Sequence, residues 1–124
     1  MAPSSLLSDP QKKLLPLTPA VFYILLALAD GERHGYAIMQ EVTVLSDGQV
    51  QMGPGTLYST IQRLLDLALI VETATSSGED GRRRYYRLTG AGKALLETEI
   101  GRMHSLLRLA RQKNLKPLEA RSPR

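Results

Sequence analysis

The chain has 124 residues, of which 43% are hydrophobic, and its formal net charge is +4. This length fits one domain rather than two. The chain contains no cysteine, which excludes disulfides and thiolate metal sites and fits a reducing cytoplasm. No apolar run approaches the roughly 20 residues that a membrane span requires. Lys12 and Lys13 follow the first leucines, whereas the basic residues of a signal peptide precede its apolar run.

The charge is distributed unevenly along the chain. Residues 1–81 contain nine acidic and four basic side chains, whereas residues 82–124 contain twelve basic and three acidic ones. A basic half on a small protein favours a polyanionic partner such as nucleic acid. A solvated surface that ends in a basic tail would show the same asymmetry, so the charge leaves both readings open.

Residues 1–16 are predicted to form an N-terminal arm. The segment is polar and contains three prolines and two leucine pairs. We expect it to be loose in the monomer. The alternative is a short helix that packs only on a partner.

The patterns of residues 17–89 follow the order of a winged helix-turn-helix. The first helix starts with Thr18 as N-cap and Pro19 as its first residue. A second helix is predicted from His34-Gly35 to Leu45, and a third from Pro54 to about Ala68, with a short extended piece at 49–52 between them. Two strands follow at 70–75 and 82–88, on either side of a loop at 76–81. The two strands and their loop form a β-hairpin, the wing. The predicted fold class is therefore mainly α with a small β-hairpin.

A long C-terminal helix is predicted at residues 90–114, with Thr89 as its cap and a basic tail at 115–124. Its apolar residues step by 4, 3, 4 and 3, which is an a/d seam of about two heptads. The seam consists of Leu96, Ile100, Met103, Leu107 and Ala110. The helix carries more apolar surface than three small helices can cover, so we predict that the seam forms a homodimer. The alternative is that it packs only on its own domain.

Catalytic and metal-binding chemistry has little support in the sequence. The two histidines, His34 and His104, do not form a pair with metal-ligand spacing. His34 precedes a predicted helix, where a cap or a packed imidazole is the expected role. The Gly53-Pro54-Gly55 stretch lacks the Gly-Lys-Ser/Thr of a phosphate loop. We therefore expect no catalytic residue, no metal and no cofactor.

The outer face of the third helix is the first candidate DNA surface. If Leu57, Ile61 and Leu64 point inward, helical spacing turns a polar set outward. This set comprises Thr56, Ser59, Thr60 and Arg63, with Tyr58 at its edge. Hydroxyls can bond to phosphates or base edges, and arginine can pair with guanine. The two glycines at the mouth of the helix would let the backbone come close to a phosphate.

The wing is the second candidate DNA surface. The stretch RRRYYR places four arginines, Arg82, Arg83, Arg84 and Arg87, within six residues. Strand alternation puts Tyr86 on the same face as Leu88, which points to the core. Arginines near a loop tip can reach the phosphate backbone or a minor groove. The alternative is a charged edge strand that resists aggregation.

Three stretches together resemble the PadR family of bacterial transcriptional regulators. They are LLALADGERHGYAIMQEV, GPGTLYSTIQRLLDLALI and GRRRYYRLTGAGKALLE, and the resemblance runs over residues 17–97. It implies a winged-helix homodimer that binds a palindromic operator in double-stranded DNA, usually as a repressor, with the C-terminal helix as dimer contact. It also implies, for many members, a small-molecule effector near the dimer interface. Carried over by motif, Thr56, Leu57 and Tyr58 begin the recognition helix, and residues 82–87 lie on the wing.

Two other classes of function fit less of the sequence. A winged-helix module that binds only protein would not need four arginines on its wing. A small hydrolase would need nucleophile and base residues that two histidines and no cysteine do not supply.

Overall fold

The computed structural model describes residues 6–73 and 84–118. Its helices are α1 (Asp9–Lys12), α2 (Pro19–Ala27), α3 (Gly35–Leu45), α4 (Pro54–Asp66) and α5 (Gly90–Gln112), and its strands are β1 (Arg33–His34), β2 (Ile70–Glu72) and β3 (Tyr85–Leu88). The strands form one antiparallel sheet in the order β1-β3-β2. The predicted class, mainly α with a small sheet in a winged-helix arrangement, is confirmed.

Local capping chemistry fixes where the helices start. The side chains of Thr18, His34 and Thr89 accept hydrogen bonds from backbone N–H groups in the first turns of α2, α3 and α5. Helix α4 starts with Pro54 after Gly53, which makes no side-chain cap bond. These starts agree with the sequence predictions, because caps depend on residues only three positions apart.

The third strand is not where the sequence predicts it. Residues 49–52 form no strand, and the short strand β1 precedes α3. In the sheet, Arg33 lies opposite Tyr86 and His34 opposite Tyr85. The Val50 N–H instead donates to the hydroxyl of Ser46 at 2.9 Å. The backbone after α3 is therefore held by a turn and not by a sheet.

Residues 6–16 of the N-terminal arm, the part that the structure describes, pack on the core of their own subunit, so the expectation of a loose arm is wrong for them. Ser8 and Gln11 form a capping box around α1. Leu7 is buried in the core, and Leu14 and Leu15 pack against it. Apolar contacts at both ends of α1 therefore order a segment whose composition alone suggests disorder.

The core lies between α2, α3, α4, the sheet and the first half of α5. Leu57, Ile61 and Leu64 of α4 are buried, as predicted. Tyr86 of β3 is buried too, so the predicted face of that strand is confirmed. Burial raises the pKa of the Tyr86 phenol, and the Glu72 carboxylate adds to this effect. Among the helices of residues 6–73 and 84–118, none combines the length and apolar character needed to cross a membrane.

Glu99 of α5 is a buried carboxylate, with only 1% of the residue exposed. Arg102 donates two hydrogen bonds to it, at 2.7 and 2.9 Å, and the Leu17 N–H donates a third at 2.9 Å. The Arg102 hydrogen bonds lower the pKa of Glu99 below its ordinary value of 4.5, against the opposing effect of burial. The ionised carboxylate therefore joins α5 to the chain just before α2.

The lowered pKa of Glu99 predicts a dependence of stability on pH. Its contribution is fully present above pH 4.5, the ordinary pKa, and is lost as the pH falls through the lower pKa of the folded state. In urea unfolding, the Glu99→Gln variant is expected to be less stable than the wild type at neutral pH. This difference should shrink as the pH falls below 4.5 and through the lower pKa of the folded state. The exposed Glu97→Gln is the control, and a Glu99→Gln difference that stayed constant with pH would contradict the assignment.

Candidate nucleic-acid interface

Helices α3 and α4 form a helix-turn-helix, and the outer face of α4 is its open surface. Because three apolar side chains of α4 are buried on the inner face, the polar ones point outward. The predicted residues are placed as follows: Thr56, Tyr58, Ser59 and Arg63 are exposed, and Thr60 is half-buried. At 3.6 residues per turn, Thr56, Ser59, Thr60 and Arg63 share one side of α4, and Tyr58 lies at its edge, against Gly35 of α3.

Two of the hydroxyls on this face already use their protons. Ser59 Oγ donates to the carbonyl of Thr56 at 3.1 Å, and Thr60 Oγ1 donates to the same carbonyl at 2.8 Å. A hydroxyl has one proton and two lone pairs. In these rotamers Ser59 and Thr60 therefore offer acceptors to a ligand, and not donors.

Tyr58 has a packing role besides its position on the open face. It is 49% exposed, and its phenol lies against the first residue of α3, the buried Gly35. A Cβ at position 35 would collide with the phenol oxygen and the neighbouring ring carbons. Gly35 is thus the residue that allows α4 to approach the start of α3 at this point.

His34 has the structural role that the sequence predicts. Its Nδ1 accepts a hydrogen bond from the Ala37 N–H at 3.2 Å and so caps α3. Its ring also meets the Tyr85 ring edge to face, with centroids 5.4 Å apart. In the described part of the chain, no three His, Asp or Glu residues cluster in a way that could hold a metal ion.

The wing is described only in part. Arg82 and Arg83 lie outside the described residues, whereas Arg84 and Arg87 are exposed at β3. The Arg84 side chain is 66% exposed, and its Nε lies 3.7 Å from a carboxylate oxygen of Glu72 on β2. An exposed ion pair at this distance contributes about 0–1 kcal/mol. Arg84 can therefore exchange this partner for another anion at little cost.

Gln62 is a candidate site residue that the sequence reasoning missed. It is exposed on α4, one turn after Tyr58 and Ser59. Its amide donates to the Asp66 carboxylate at 2.9 Å, and an amide of this kind can pair with adenine. Its i, i+4 spacing from Tyr58 is a sequence signal for an exposed position, and Gln62 carries neither a hydroxyl nor a positive charge.

The predicted dimer seam on α5 does not lie entirely on the surface. Leu96 is 4% exposed and belongs to the core of its own subunit, so its assignment to an open seam is corrected. Residues 90–99 of α5 pack on the domain, and the buried apolar side chains there, Ala94, Leu95 and Leu96, belong to the core. Leu107 and Ala110 are half-buried. The exposed apolar residues, here called the open face of α5, are Ile100, Met103, Leu106 and Leu109.

Comparison with known proteins connects this architecture to one family. The model of the "Transcriptional regulator PadR-like family" matches residues 24–98. The chain is 40% identical over 87 residues to the transcriptional regulator Rv3488 of Mycobacterium tuberculosis, which covers 69% of this chain and 77% of that protein. It is also 41% identical over 91 residues, 73% of this chain, to an uncharacterised 37.1 kDa protein of a Streptomyces fradiae transposon. The chain spans only 24% of that relative.

Solved structures share the fold. A PadR family transcription regulator from Clostridium difficile has a TM-score of 0.66 at 24% identity, with 79% of this chain and 100% of that chain covered. Bacillus subtilis PadR, solved in complex with operator DNA, has a TM-score of 0.59 at 22% identity, with 88% and 54% covered. The family match spans more than half of the chain and includes α3, α4 and β3. The chain belongs to the PadR-like family of transcriptional regulators.

Proposed function

We propose that the protein is a homodimeric, sequence-specific DNA-binding repressor that acts on a palindromic operator. The observation that carries this proposal is the construction of α4. Its apolar side is fixed in the core, while Thr56, Ser59, Gln62 and Arg63 lie on its outer side. Such a helix can enter the major groove and present side chains to base edges. Here α4 is the recognition helix.

The hydrogen bonds on the recognition helix indicate what it reads. Because Ser59 and Thr60 donate to the Thr56 carbonyl, their outward lone pairs accept hydrogen bonds. The major-groove donors are the amino groups of cytosine and adenine. Phosphate oxygens only accept, so these hydroxyls fit base edges better than phosphates. Arg63 adds a guanidinium, which pairs best with guanine.

Most of the attraction to DNA is assigned to the wing. The recognition helix carries one base, Arg63, and one acid, Asp66, so its formal charges cancel. Arg87 is exposed on β3 and Arg84 is exposed just before it, and the sequence adds Arg82 and Arg83 just before Arg84. Phosphate neutralisation by such side chains gives affinity that does not depend on sequence. In this proposal, α4 selects the DNA sequence, and the wing binds the phosphate backbone of the DNA.

The dimer is assigned to the open face of α5. A two-fold axis there would place the two recognition helices on half-sites about 34–36 Å apart, one turn of B-DNA. The solved complex of Bacillus subtilis PadR with operator DNA supports DNA as the partner of this fold. A small-molecule effector near the dimer interface would act by favouring one spacing of the recognition helices over another.

The ion pair on the wing supplies a matched pair of variants. Arg84→Ala is expected to weaken binding to every duplex and to reduce the slope of log affinity against log salt by about one per subunit. Glu72→Gln removes the carboxylate that lies 3.7 Å from Arg84 and is expected to raise affinity for every duplex. Salt titrations by fluorescence anisotropy measure both variants. An unchanged slope in Arg84→Ala would contradict contact between this arginine and a phosphate.

A gel-shift assay with the DNA upstream of the protein's own gene tests the proposed function. We expect a retarded band that survives a large excess of unrelated duplex. A protein-interaction module would give no band, and a purely electrostatic binder would lose its band to the competitor. Either of these results would overturn the proposal.

A further inference from the structure

The N-terminal segment, residues 6–17, contacts two helices that have different tasks in the proposed regulator. One contact is at the end of α4 and the other is on α5. Leu7 is buried, and Leu14, Leu15 and Leu17 pack against the core. This segment is here called the strap.

The first attachment is made by Gln11 of α1. Its Nε2 donates to the carbonyl of Leu67 at 2.7 Å, and Leu67 is the C-cap residue of α4. Carbonyls at the end of a helix have no partner within the helix. Gln11 is a buried polar residue, so this bond both satisfies its amide and fixes the C-terminal end of the recognition helix.

The second attachment is made by Glu99 of α5. Its carboxylate accepts from the Leu17 N–H at 2.9 Å at the other end of the strap. Glu99 is also held by Arg102, and the next residue along the helix, Ile100, lies on the open face. The strap therefore connects the end of the recognition helix to the part of α5 where the exposed apolar face begins.

We propose that the strap sets the orientation of the recognition helix relative to the dimer helix, and that Gln11 and Glu99 are positioning residues for operator recognition. This inference rests on the proposed function. Helix α4 has 13 residues and is therefore about 20 Å long. A tilt of about 10° at its anchored end would move its other end, where Thr56 lies, by roughly 3 Å. That movement is as long as a hydrogen bond, so loss of the strap should misplace base contacts while leaving the wing on the phosphates.

Gln11→Glu is the variant that isolates the first attachment. Glutamate keeps an oxygen that can accept from the Ser8 N–H, so the capping box of α1 is retained. It loses the Nε2 donor and places a carboxylate against the Leu67 carbonyl. Leu6→Ala, at an exposed position of the same strap, is the control.

The binding test compares an operator duplex, recovered by selection from random duplexes, with a scrambled duplex of equal length and composition. For Gln11→Glu we expect about a tenfold loss of operator affinity, the size of one lost base contact, with unchanged affinity for the scrambled duplex and an unchanged dimer. Leu6→Ala should behave as the wild type does. If the wild type bound the operator and the scrambled duplex equally well, the proposed function itself would be contradicted. If the wild type preferred the operator and Gln11→Glu kept that preference in full, the inference about the strap would be overturned and the proposed function would stand.

A distance measurement separates positioning from general destabilisation. The chain has no cysteine, so a spin label at Gln51→Cys, an exposed position just before α4, reports the spacing of the two recognition helices in the dimer. Gln11→Glu and Glu99→Gln should each shift or broaden this distance distribution. The double variant should be no worse than the more affected single one, because both bonds hold the same strap. Unchanged distances, or additive losses of operator affinity, would overturn the inference.

Discussion

Replacing Ile100 by aspartate is expected to convert the dimer into monomers and to lower operator affinity at least 100-fold. Ile100 is 45% exposed at the start of the open face of α5, so aspartate there would be solvated in the monomer. In the dimer the same carboxylate would be buried without a partner, which is strongly unfavourable. A monomer engages only one half-site, and loss of the second contact commonly costs a factor of 10² to 10⁴ in affinity.

Light scattering and anisotropy with an operator duplex measure the two effects of Ile100→Asp. Arg108→Ala is the matched control, because it changes the charge of α5 by the same amount at an exposed position outside the open face. It should remain dimeric. If Ile100→Asp scattered light as a dimer, the open face of α5 would not be the interface. If it were monomeric and still bound the full operator with wild-type affinity, the two-fold arrangement would be wrong.

Gly92→Ala is expected to destabilise the subunit by about 1–3 kcal/mol, the usual cost of overpacking a tight site. Gly92 is buried in the first turn of α5. An added Cβ would collide with the backbone carbonyl oxygen of Leu69 and would lie 2.9 Å from Cδ1 of Leu88. A side-chain end can move aside, but a carbonyl before a strand cannot move without shifting the sheet. The close packing of α5 on the winged-helix domain therefore depends on this glycine.

Gly90→Ala is the matched control for Gly92→Ala. The two glycines are two residues apart in one helix, and a Cβ at Gly90 meets nothing within 4 Å. The free energy of unfolding of Gly90→Ala should stay within about 0.5 kcal/mol of the wild-type value. Thermal unfolding should place Gly92→Ala several degrees below both proteins, since about 1 kcal/mol corresponds to 4–8 °C in a small domain. Equal stability of the two variants would contradict the packing of α5 described above.

Much of the fold follows from local sequence signals. Thr18, His34 and Thr89 each cap the helix that the sequence predicts after them, and Pro54 begins the next. Capping and helical periodicity need only residues three or four apart, so they can be recognised without tertiary structure. The outward position of the polar residues of α4 follows from the same periodicity.

The errors concern features that only tertiary contacts decide. Strand β1 has two residues and no periodicity of its own, and exists because β3 lies beside it. The strap is ordered by Leu7 and Gln11, whose partners are far along the chain. Leu96 fits the heptad spacing, but its side chain is buried in the core of its own subunit. A spacing rule identifies an apolar stripe, and it does not say which part of that stripe the same subunit covers.

In the candidate site, too, local spacing predicts which residues are exposed, but it does not predict their contacts. Helical spacing places Thr56, Ser59 and Arg63 on the outside of α4, but it does not reveal that the Ser59 hydroxyl donates to the Thr56 carbonyl. Helical spacing also cannot show that Glu72 lies beside Arg84, because Glu72 ends β2 and Arg84 stands just before β3, far along the chain. These contacts decide whether the Ser59 hydroxyl accepts or donates a hydrogen bond, and whether the Arg84 side chain is already paired with a carboxylate.

Selection from a library of random duplexes tests whether a two-fold dimer of this protein recognises a specific DNA sequence. The purified protein is mixed with the library, bound duplexes are recovered and amplified, and the enriched sequences are aligned. We expect enrichment of an inverted repeat whose half-sites are centred about 10 base pairs apart, or a multiple of one helical turn. Enrichment of a single unrepeated motif, or no enrichment over the starting library, would contradict this expectation.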